Sequence, residues 1–507
     1  MARKWWTLLT VSVATFMLLI DITAVNVAVP AIRADLNTDF HGIQWVFDAY
    51  TLTLAAFVLT AGSIADRIGR RRTLVVGLAV FTFASLVCAL AMSTLMLNLA
   101  RAVQGVGAAV MFAVSLAFVA LEFPAGRERG TAMGIFGATV GAAVAIGPLV
   151  GGALTHWFGW EAVFYVNVPI GVATIAVTRL KLAESRDPVA ARIDVPGVAT
   201  FSAALFLLVL ALIRGNEQGW TSAPILLLLA ASAVAMTAFV VIERRVGDPM
   251  LPLELFRSPA FTGVQLAAAA LSGSIFALYP YITLYLQNYL GLSPFEAGVR
   301  YLPTTFLNFA VAPLAGILLS RLHARFMLCA GLTAVGTGLV LMAGITADDP
   351  WTTLLPGFVV AGVGVGLLNP VIADVAVSVV PTERSGMAAG VNDTFRQVGI
   401  AIGIAVWGAV TIRQGTDHVR QAAAGTPLSG DTTARQLVEA ASSGSLDTVL
   451  PHLPDALRQS AADAARQGFL TGLNTVLLAG ALVSFFGAAL ALWLVREHDI
   501  ERLRRPS

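Results

Sequence analysis

The sequence predicts an all-α integral membrane protein with fourteen transmembrane helices and both termini in the cytoplasm. Of its 507 residues, 57% are hydrophobic and only 12% are charged, whereas soluble domains are about 25% charged. Mean hydropathy is +0.79. Apolar runs of about twenty residues, the length that crosses a bilayer, recur from end to end between short polar gaps. A water-soluble fold is therefore excluded.

Fourteen apolar runs predict the membrane helices in order, because each is long enough to span and is bounded by charged, Pro or Gly residues. The first seven predicted helices cover 7–30, 45–64, 73–92, 95–121, 131–154, 161–182 and 196–213. The second seven cover 222–243, 260–288, 297–321, 326–346, 353–379, 386–412 and 468–494.

The basic residues predict the orientation, because Lys and Arg collect in loops that stay in the cytoplasm. With the N-terminus inside, cytoplasmic segments hold 22 of the 32 basic residues, external loops hold 8, and Arg101 and Arg396 lie within helices. Five of the eight external residues fall in the long segment 413–467, for which we expect an external loop with some helix.

An internal repeat predicts two six-helix halves. The segment GSIADRIGRRR at 62–72 aligns with GILLSRLHARF at 316–326, and both follow a predicted membrane helix on the cytoplasmic side. We therefore expect an N-terminal half at 1–182, an inserted helix pair with flanking loops at 183–258, and a C-terminal half at 259–507.

Other classes of function have little support in the sequence. The only cysteines, Cys88 and Cys329, lie in apolar runs, so a disulfide framework or a thiolate metal cluster is not expected. The only lysines, Lys4 and Lys181, lie outside any GxxxxGK[ST] phosphate loop. No HExxH motif and no Ser/His/Asp set is recognisable. We expect no enzyme activity, metal, cofactor or nucleic-acid partner.

The most specific motif lies at the end of the second predicted helix. It resembles the signature loop of the major facilitator superfamily, G-x-L-x-D-R-x-G-R-[RK], with Ser63 and Ile64 as departures. The resemblance implies a major facilitator fold and a charge cluster that latches one conformation. The latch residues would be Gly62, Asp66, Arg67, Gly69, Arg70 and Arg71. A plain cluster of positive charges at the membrane surface is the alternative.

Two further segments resemble elements of the same superfamily. Arg101 begins the R-x-x-Q-G-x-G-A-A pattern in the fourth helix and, being costly in hydrocarbon, should pair with a carboxylate or extend to the membrane surface. The fifth helix ends in an element similar to the G-P-x-x-G-G of superfamily antiporters, in which small residues allow close packing and a proline bends the helix. Its residues are Gly147, Pro148, Gly151 and Gly152.

Segments of the first and thirteenth predicted helices resemble one family within this superfamily. The stretch from Leu19 to Pro30 is similar to the L-D-x-T-x-V-N-V-A-L-P of the fourteen-helix drug:proton antiporter family, and Asn392 to Gly399 resembles its N-x-x-R-Q-x-G pattern. The segment Trp160–Gly171 also agrees, although Glu161 replaces an expected arginine. The resemblance implies multidrug efflux driven by protons.

Five ionisable residues are predicted within the membrane, where such residues are rare and usually functional. Asp21, Arg101, Asp374, Asp393 and Arg396 are therefore the candidates for proton coupling. A carboxyl group away from water binds a proton readily, and Asp21, which has no partner on its own helix, is the leading carrier, with Arg101 as its possible partner. Asp393 and Arg396 could instead neutralise each other, and Asp374 could occupy a solvated position.

Polar and aromatic residues within the predicted helices are candidates for a substrate cavity. Tyr281, Tyr285 and Tyr289 follow each other at intervals of four and would form one stripe of a continuous helix, either as a binding wall or as an interfacial belt. The other candidates are Asn26, Asp48, Gln104, Asn308 and Asn392.

These observations favour a monomeric, proton-coupled antiporter in the bacterial cytoplasmic membrane. Its partners would be protons, the lipid bilayer and a small amphipathic organic compound such as a drug, dye or antibiotic. A symporter that imports its substrate, and a membrane sensor that does not transport, are the alternatives that the sequence leaves open.

Overall fold

The computed structural model describes residues 3–38, 40–123, 127–186, 194–319, 321–381, 384–424, 427–443 and 446–496, and the described part is helical with no strand. The first predicted half contains α1 Arg3–Asp35, α2 Phe40–Ile68, α3 Arg70–Ala89, α4 Thr94–Glu122, α5 Arg127–Phe158, α6 Ala162–Tyr165 and α7 Asn167–Lys181. The insertion contains α8 Val195–Gln218 and α9 Ala223–Glu243.

The second predicted half contains ten helices in the described residues. They are α10 Pro259–Leu271, α11 Ala277–Leu284, α12 Pro294–Arg300, α13 Leu302–Leu318, α14 Ala324–Met342, α15 Leu355–Ser378, α16 Ser385–Ala422, α17 Asp431–Ser443, α18 Leu446–Val449 and α19 Asp455–Leu494. Short 3₁₀ turns lie at Leu253–Arg257, Trp351–Leu354, Pro427–Ser429 and Leu450–His452.

Helix is found at each of the fourteen predicted positions. In the described residues, twelve helical stretches are long and apolar enough to cross a bilayer. Of the other two positions, the tenth holds the shorter apolar helix Leu302–Leu318, and the fifth holds α5. The fold is therefore the predicted bundle of membrane helices, while the count of fourteen crossings stays a prediction.

The ninth predicted helix is one helical stretch, Pro259–Tyr289, that contains two wide π-helical turns. These turns lie at Ser272–Phe276 and Tyr285–Tyr289, on either side of α11, and Pro280 lies within α11. Proline removes a backbone donor, and a π turn shifts the phase of the side chains that follow it. The spacing of the tyrosines therefore departs from that of a regular α-helix only from Tyr285 onward.

Two helices are much longer than predicted. α16 has 38 residues and α19 has 40, which at 1.5 Å per residue gives about 57 and 60 Å, well beyond a hydrocarbon layer of about 30 Å. The hydropathy pattern marked only their apolar parts. The flank 455–467 of α19 is rich in alanine, which has the highest helix propensity, whereas the extension 413–422 of α16 is polar.

The predicted external segment 413–467 is mostly helical and has its own small core. The end of α16, α17 and the start of α19 bury apolar side chains against one another. The core residues are Val419, Ala423, Leu428, Ala434, Leu437, Val438, Ala461, Ala464 and Ala465. We name 413–467 the outer cap. The expectation of some helix in this segment is confirmed.

Short polar turns on the outer side are fixed by carboxylates. Glu296 accepts a bond of 2.9 Å from the Ser293 backbone N–H, which together with the Ser293 hydroxyl lowers the pKa of that carboxyl. Asp349 accepts bonds of 2.7 and 2.8 Å from the backbone and hydroxyl of Thr346, which lower its pKa in the same way. These bonds position the ends of the adjoining helices.

Candidate functional site

A buried ion pair joins α1 and α4. The Arg101 guanidinium lies 2.5 Å from the Asp21 carboxylate, and the two side chains are 1% and 0% exposed. Arg101 also donates from Nε to the backbone oxygen of Val46 at 3.0 Å and lies over the Tyr50 ring at 4.2 Å from its centroid. The arginine thus has a carboxylate partner within the bundle and does not extend to the membrane surface, as the first of the two predicted alternatives required.

Amide side chains complete the surroundings of the pair. Gln104 and Asn167 donate to Asp21 Oδ1 at 2.8 and 2.9 Å, and the Ser85 hydroxyl accepts from both amides. Gln104 Oε1 in turn accepts from Arg101 at 2.7 Å. No fully buried side-chain N or O atom of this cluster lacks a hydrogen-bond partner, which a buried charge pair needs if it is not to destabilise the fold.

The sequence predicted some residues of this cluster and missed others. Gln104, which was expected to line a substrate cavity, lies fully buried within the ion-pair cluster. Asn167 and Ser85 were not predicted. The signal that could have found Asn167 is its place as an amide within the family-like segment Trp160–Gly171. Its partners come from helices distant in sequence, so no local pattern reveals them.

The predicted latch joins the end of α2 to the start of α16. Asp66 accepts from Arg70 Nε and Nη2 at 3.0 and 2.7 Å, and also from the backbone N–H groups of Gly386 and Met387 at 3.1 and 2.8 Å. These two N–H groups lie in the first turn of α16, where the helix dipole favours an anion. The carboxylate therefore binds the second predicted half to the first.

Glycines allow this contact. A Cβ atom at Gly62 would collide with the backbone oxygen of Gly386, and one at Gly390 would lie 2.7 Å from the Leu59 Cα. A comparable contact of Gly130 with Gly316 joins α5 to α13. The backbones of the two halves thus touch directly at their predicted cytoplasmic ends, which are closed in this conformation.

The rest of the latch motif shapes the start of α3. Gly69 has φ 124°, a conformation that favours glycine, at the N-cap of that helix. Glu184, which the sequence did not single out, accepts from the backbone N–H groups of Arg71 and Arg72 at 3.0 and 3.2 Å. Arg67 donates to the backbone oxygens of Asp248 and Pro249 at 3.1 and 3.0 Å. The inserted segment is thus attached to the latch.

The glycines near the end of α5 permit its contact with α1. A Cβ atom at Gly147 would collide with the Thr23 hydroxyl, and one at Gly151 would lie 2.6 Å from the Ala24 Cα. Gly152 has ordinary space, with Val27 Cγ1 at 3.7 Å. Pro148 lies in helical backbone, and its side chain is outside the described residues. α5 therefore contacts the helix that carries Asp21.

Arg396 does not pair with Asp393. Its Nε donates to Asn392 Oδ1 at 3.2 Å and its Nη1 to Asn369 Oδ1 at 3.1 Å. Among the described residues, Asp393 makes no ion pair within 4.0 Å and no hydrogen bond. Asp393 and Arg396 therefore do not neutralise each other by direct contact in the described residues. The Asp393 side chain is nevertheless buried, with 4% of its surface exposed. Asp374 is also buried and accepts from the Ser378 hydroxyl at 3.4 Å.

The remaining cavity candidates are dispersed. Asn26 is exposed on α1 and Asp48 is half-buried on α2. Asn308 lies against α5, where a side chain at Gly141 would collide with its amide. Tyr281 donates to the Ile404 oxygen at 2.7 Å. Tyr285 is fully buried and donates to the Asp349 oxygen at 3.4 Å. The Tyr285 and Tyr289 rings stack with their centroids 5.4 Å apart, whereas Tyr281 contacts α16.

Comparison with known proteins agrees with this architecture. The sequence matches the Major Facilitator Superfamily over residues 11–404. It is 37% identical over 407 residues to the multidrug resistance protein Stp of Mycobacterium tuberculosis, covering 80% of this chain and 75% of that protein. It is 34% identical over 504 residues to the tetracenomycin C resistance and export protein of Streptomyces glaucescens, covering 99% and 93%.

A solved structure shares the fold. The proton:xylose symporter XylE superposes with a TM-score of 0.62 at 12% sequence identity, over 99% of each chain. At this identity the likeness concerns the fold alone. The matched family region, by contrast, contains the latch, the ion pair of α1 and α4 and most of the described helices. The chain therefore belongs to the Major Facilitator Superfamily and is a multi-pass membrane transporter.

Proposed function

We propose that this chain is an antiporter of the cytoplasmic membrane that exports amphipathic organic compounds in exchange for protons, by alternating access. The observation that carries the proposal is the buried Asp21–Arg101 pair at 2.5 Å. A proton on Asp21 would leave the Arg101 charge without its counter-ion in a dry site, which costs several kcal/mol. Protonation would therefore favour a different arrangement of α1 and α4.

α2 offers a physical connection between this pair and the latch. Val46, which accepts from Arg101, lies 20 residues before Asp66 on the same helix, a distance of about 30 Å. A shift of α4 that breaks the Arg101–Val46 bond would move one end of α2, while the other end holds the first turn of α16. We propose that the latch closes the cytoplasmic side in one state and opens in the other.

The proposed roles of the parts of the chain follow the predicted domain boundaries. We propose a proton-coupling half at 1–182, a second half at 259–507 that moves against it, and an inserted pair at 183–258, with one chain sufficient for transport. Asp374, Asp393 and Arg396 stay candidates for additional coupling groups. For each proton, the membrane potential supplies about 2.3 kcal/mol per 100 mV, enough for a modest concentration ratio.

The export direction is supported by the relatives, whose names describe drug resistance and antibiotic export. An importer driven by proton symport would use the same fold, and a non-transporting sensor would show no flux at all. The Gly147 and Gly151 contacts between α5 and α1 place the antiporter-like element beside Asp21, which favours exchange with protons.

Transport in inverted membrane vesicles tests the proposal. With an imposed pH gradient, acid inside, we expect accumulation of cationic, neutral or anionic fluorescent dyes that stops when the gradient is collapsed. Asp21→Asn should reduce this gradient-dependent uptake by at least tenfold. The matched control Asp35→Asn, at the exposed end of the same helix, should retain it. Dye uptake that ignores the gradient in the unaltered protein would refute proton exchange.

A further inference from the structure

A chain of polar side chains crosses three helices of the second half. Gln265 on α10 accepts from Asn392 Nδ2 at 2.9 Å, Asn392 Oδ1 accepts from Arg396 Nε at 3.2 Å, and Asn369 Oδ1 on α15 accepts from Arg396 Nη1 at 3.1 Å. Gln265, Asn369 and Asn392 are each at most 6% exposed. The three amide residues lie inside helices, so their backbone groups are paired within those helices. The side-chain bonds are therefore not needed to satisfy backbone groups.

The guanidinium determines the direction of every hydrogen bond in this row of side chains, because it can only donate. Both asparagines must therefore turn their oxygens toward Arg396. The amide group of Asn392 then faces Gln265, which must turn its own oxygen toward it. As a result, each end of the chain presents an NH₂ group.

These terminal groups have no partner in the described residues. Gln265 Nε2 and Asn369 Nδ2 are buried and make no hydrogen bond, and Nη2 of Arg396 makes none within the same part of the chain. Buried donors without acceptors cost about 1–3 kcal/mol each. The Asn369 donor adjoins the half-buried Arg396, whose Nη2 group is also unbonded, and together they indicate a site for an oxygen that the described residues do not supply.

The site lies at the seam between the halves. A Cβ atom at Gly137 of α5 would be 3.5 Å from the Asn369 Cβ. Arg396 lies eleven residues after the start of α16, about 16 Å along the helix and close to the middle of a layer about 30 Å thick. Transporter substrates bind at this depth, between the two repeats. Asp393 is one turn away but forms no ion pair with Arg396 within 4.0 Å, so among the described residues the Nη2 group of Arg396 makes no hydrogen bond.

We propose that Arg396 and Asn369 bind a carboxylate or enolate oxygen of the exported compound, so that the substrate class is organic acids with an apolar body. The proposal rests on the proposed transport function. Nη2 and the second hydrogen of Nη1 are the parts of the Arg396 fork left for a carboxylate, and Asn369 Nδ2 adds a further donor beside them. Export of an anion in exchange for a proton also moves both charges in the direction that an inside-negative potential favours.

Two matched dyes test the assignment. Rhodamine 110 carries a free carboxylate, and rhodamine 123 is its methyl ester, with the same aromatic body. In titrations followed by fluorescence anisotropy on the purified full-length protein in lipid nanodiscs, we expect the acid to bind at least tenfold more tightly than the ester. Arg396→Gln and Asn369→Leu should each bring the ratio of the two dissociation constants to within twofold of one.

Two further variants separate recognition from folding. Arg396→Lys keeps the charge but not the fork of donors, so it should retain part of the preference. Ser484→Ala removes a buried hydroxyl whose bond to Ser274 lies elsewhere in the same half, and it should retain the full preference. Equal binding of both dyes, binding of neither, or an unchanged ratio in Arg396→Gln and Asn369→Leu proteins of normal thermal stability would overturn the proposal.

The outcome is independent of proton exchange. A protein that prefers the acid through Arg396 but moves it without regard to a pH gradient would keep this inference and refute the antiport mechanism. Gradient-driven export of dyes with no preference for the acid would keep the antiport mechanism and refute this inference.

Discussion

Arg101 donates a hydrogen bond of 3.0 Å to the backbone oxygen of Val46, so the buried ion pair of α1 and α4 is attached to the helix that carries the latch. A charge buried in low dielectric is held in place by each of its hydrogen bonds. Loss of one partner is therefore expected to affect α1, α2 and α4 together.

The first prediction concerns the stability of this pair. Asp21→Leu and Arg101→Met should each lower the free energy of unfolding by about 3–5 kcal/mol, because each leaves a buried charge without its partner. The double variant should lose clearly less than the sum of the two. Denaturant unfolding of the purified protein measures all three values. Additive losses would show that the two charges do not stabilise each other.

The second prediction concerns the Asp66 carboxylate. Asp66→Asn removes charge-assisted bonds from Arg70 and from the first turn of α16, worth about 2 kcal/mol in favour of the closed cytoplasmic side. This corresponds to a shift of about 30-fold toward the open form. Spin labels at the exposed positions Arg72 and His323 should therefore move apart.

The control for that measurement is Glu128→Gln. Glu128 pairs with Lys4 at 2.7 Å within the first half alone, so the label distance should not change. A distance distribution that is the same in Asp66→Asn and in the unaltered protein would contradict the latch.

The third prediction compares two neighbouring glycines of α5. Gly151→Ala places a methyl group 2.6 Å from the Ala24 Cα and should lower stability by about 1–3 kcal/mol while reducing transport. Gly152→Ala has ordinary space and should be neutral or slightly stabilising, because alanine favours helix over glycine. Thermal unfolding and dye uptake check both. Equal behaviour of the two variants would mean that the α1–α5 contact does not matter.

The fourth prediction concerns the outer cap. Val438→Asp buries a charge in its core and should loosen the cap, so that trypsin cleaves after Arg420, Arg435 or Arg458 much faster than in the unaltered protein. Gln436→Asp, at an exposed position of the same helix, should leave the cleavage rate unchanged. Rapid cleavage of both variants, or of neither, would show that this core does not order the cap.

The sequence predicted the bundle well because membrane helices are selected by local composition. Helix is present at every predicted position, and the latch residue Asp66 meets both an arginine and a helix terminus. Hydropathy could not reveal how far α16 and α19 extend, since their polar flanks are helical without being apolar. It also could not reveal that Tyr281 bonds to the Ile404 oxygen on α16 while Tyr285 stacks on Tyr289.

The sequence by itself determined the class of protein, the positions of its helices and the scarcity of charges within them, because the cost of polar groups in hydrocarbon acts on each segment separately. Only the tertiary structure decided which charges pair. It placed Asn167 and Ser85 around Asp21, set Glu184 at the start of α3, and left Asp393 apart from Arg396. Such partners come from helices far apart in the chain, and their distances depend on how the helices pack.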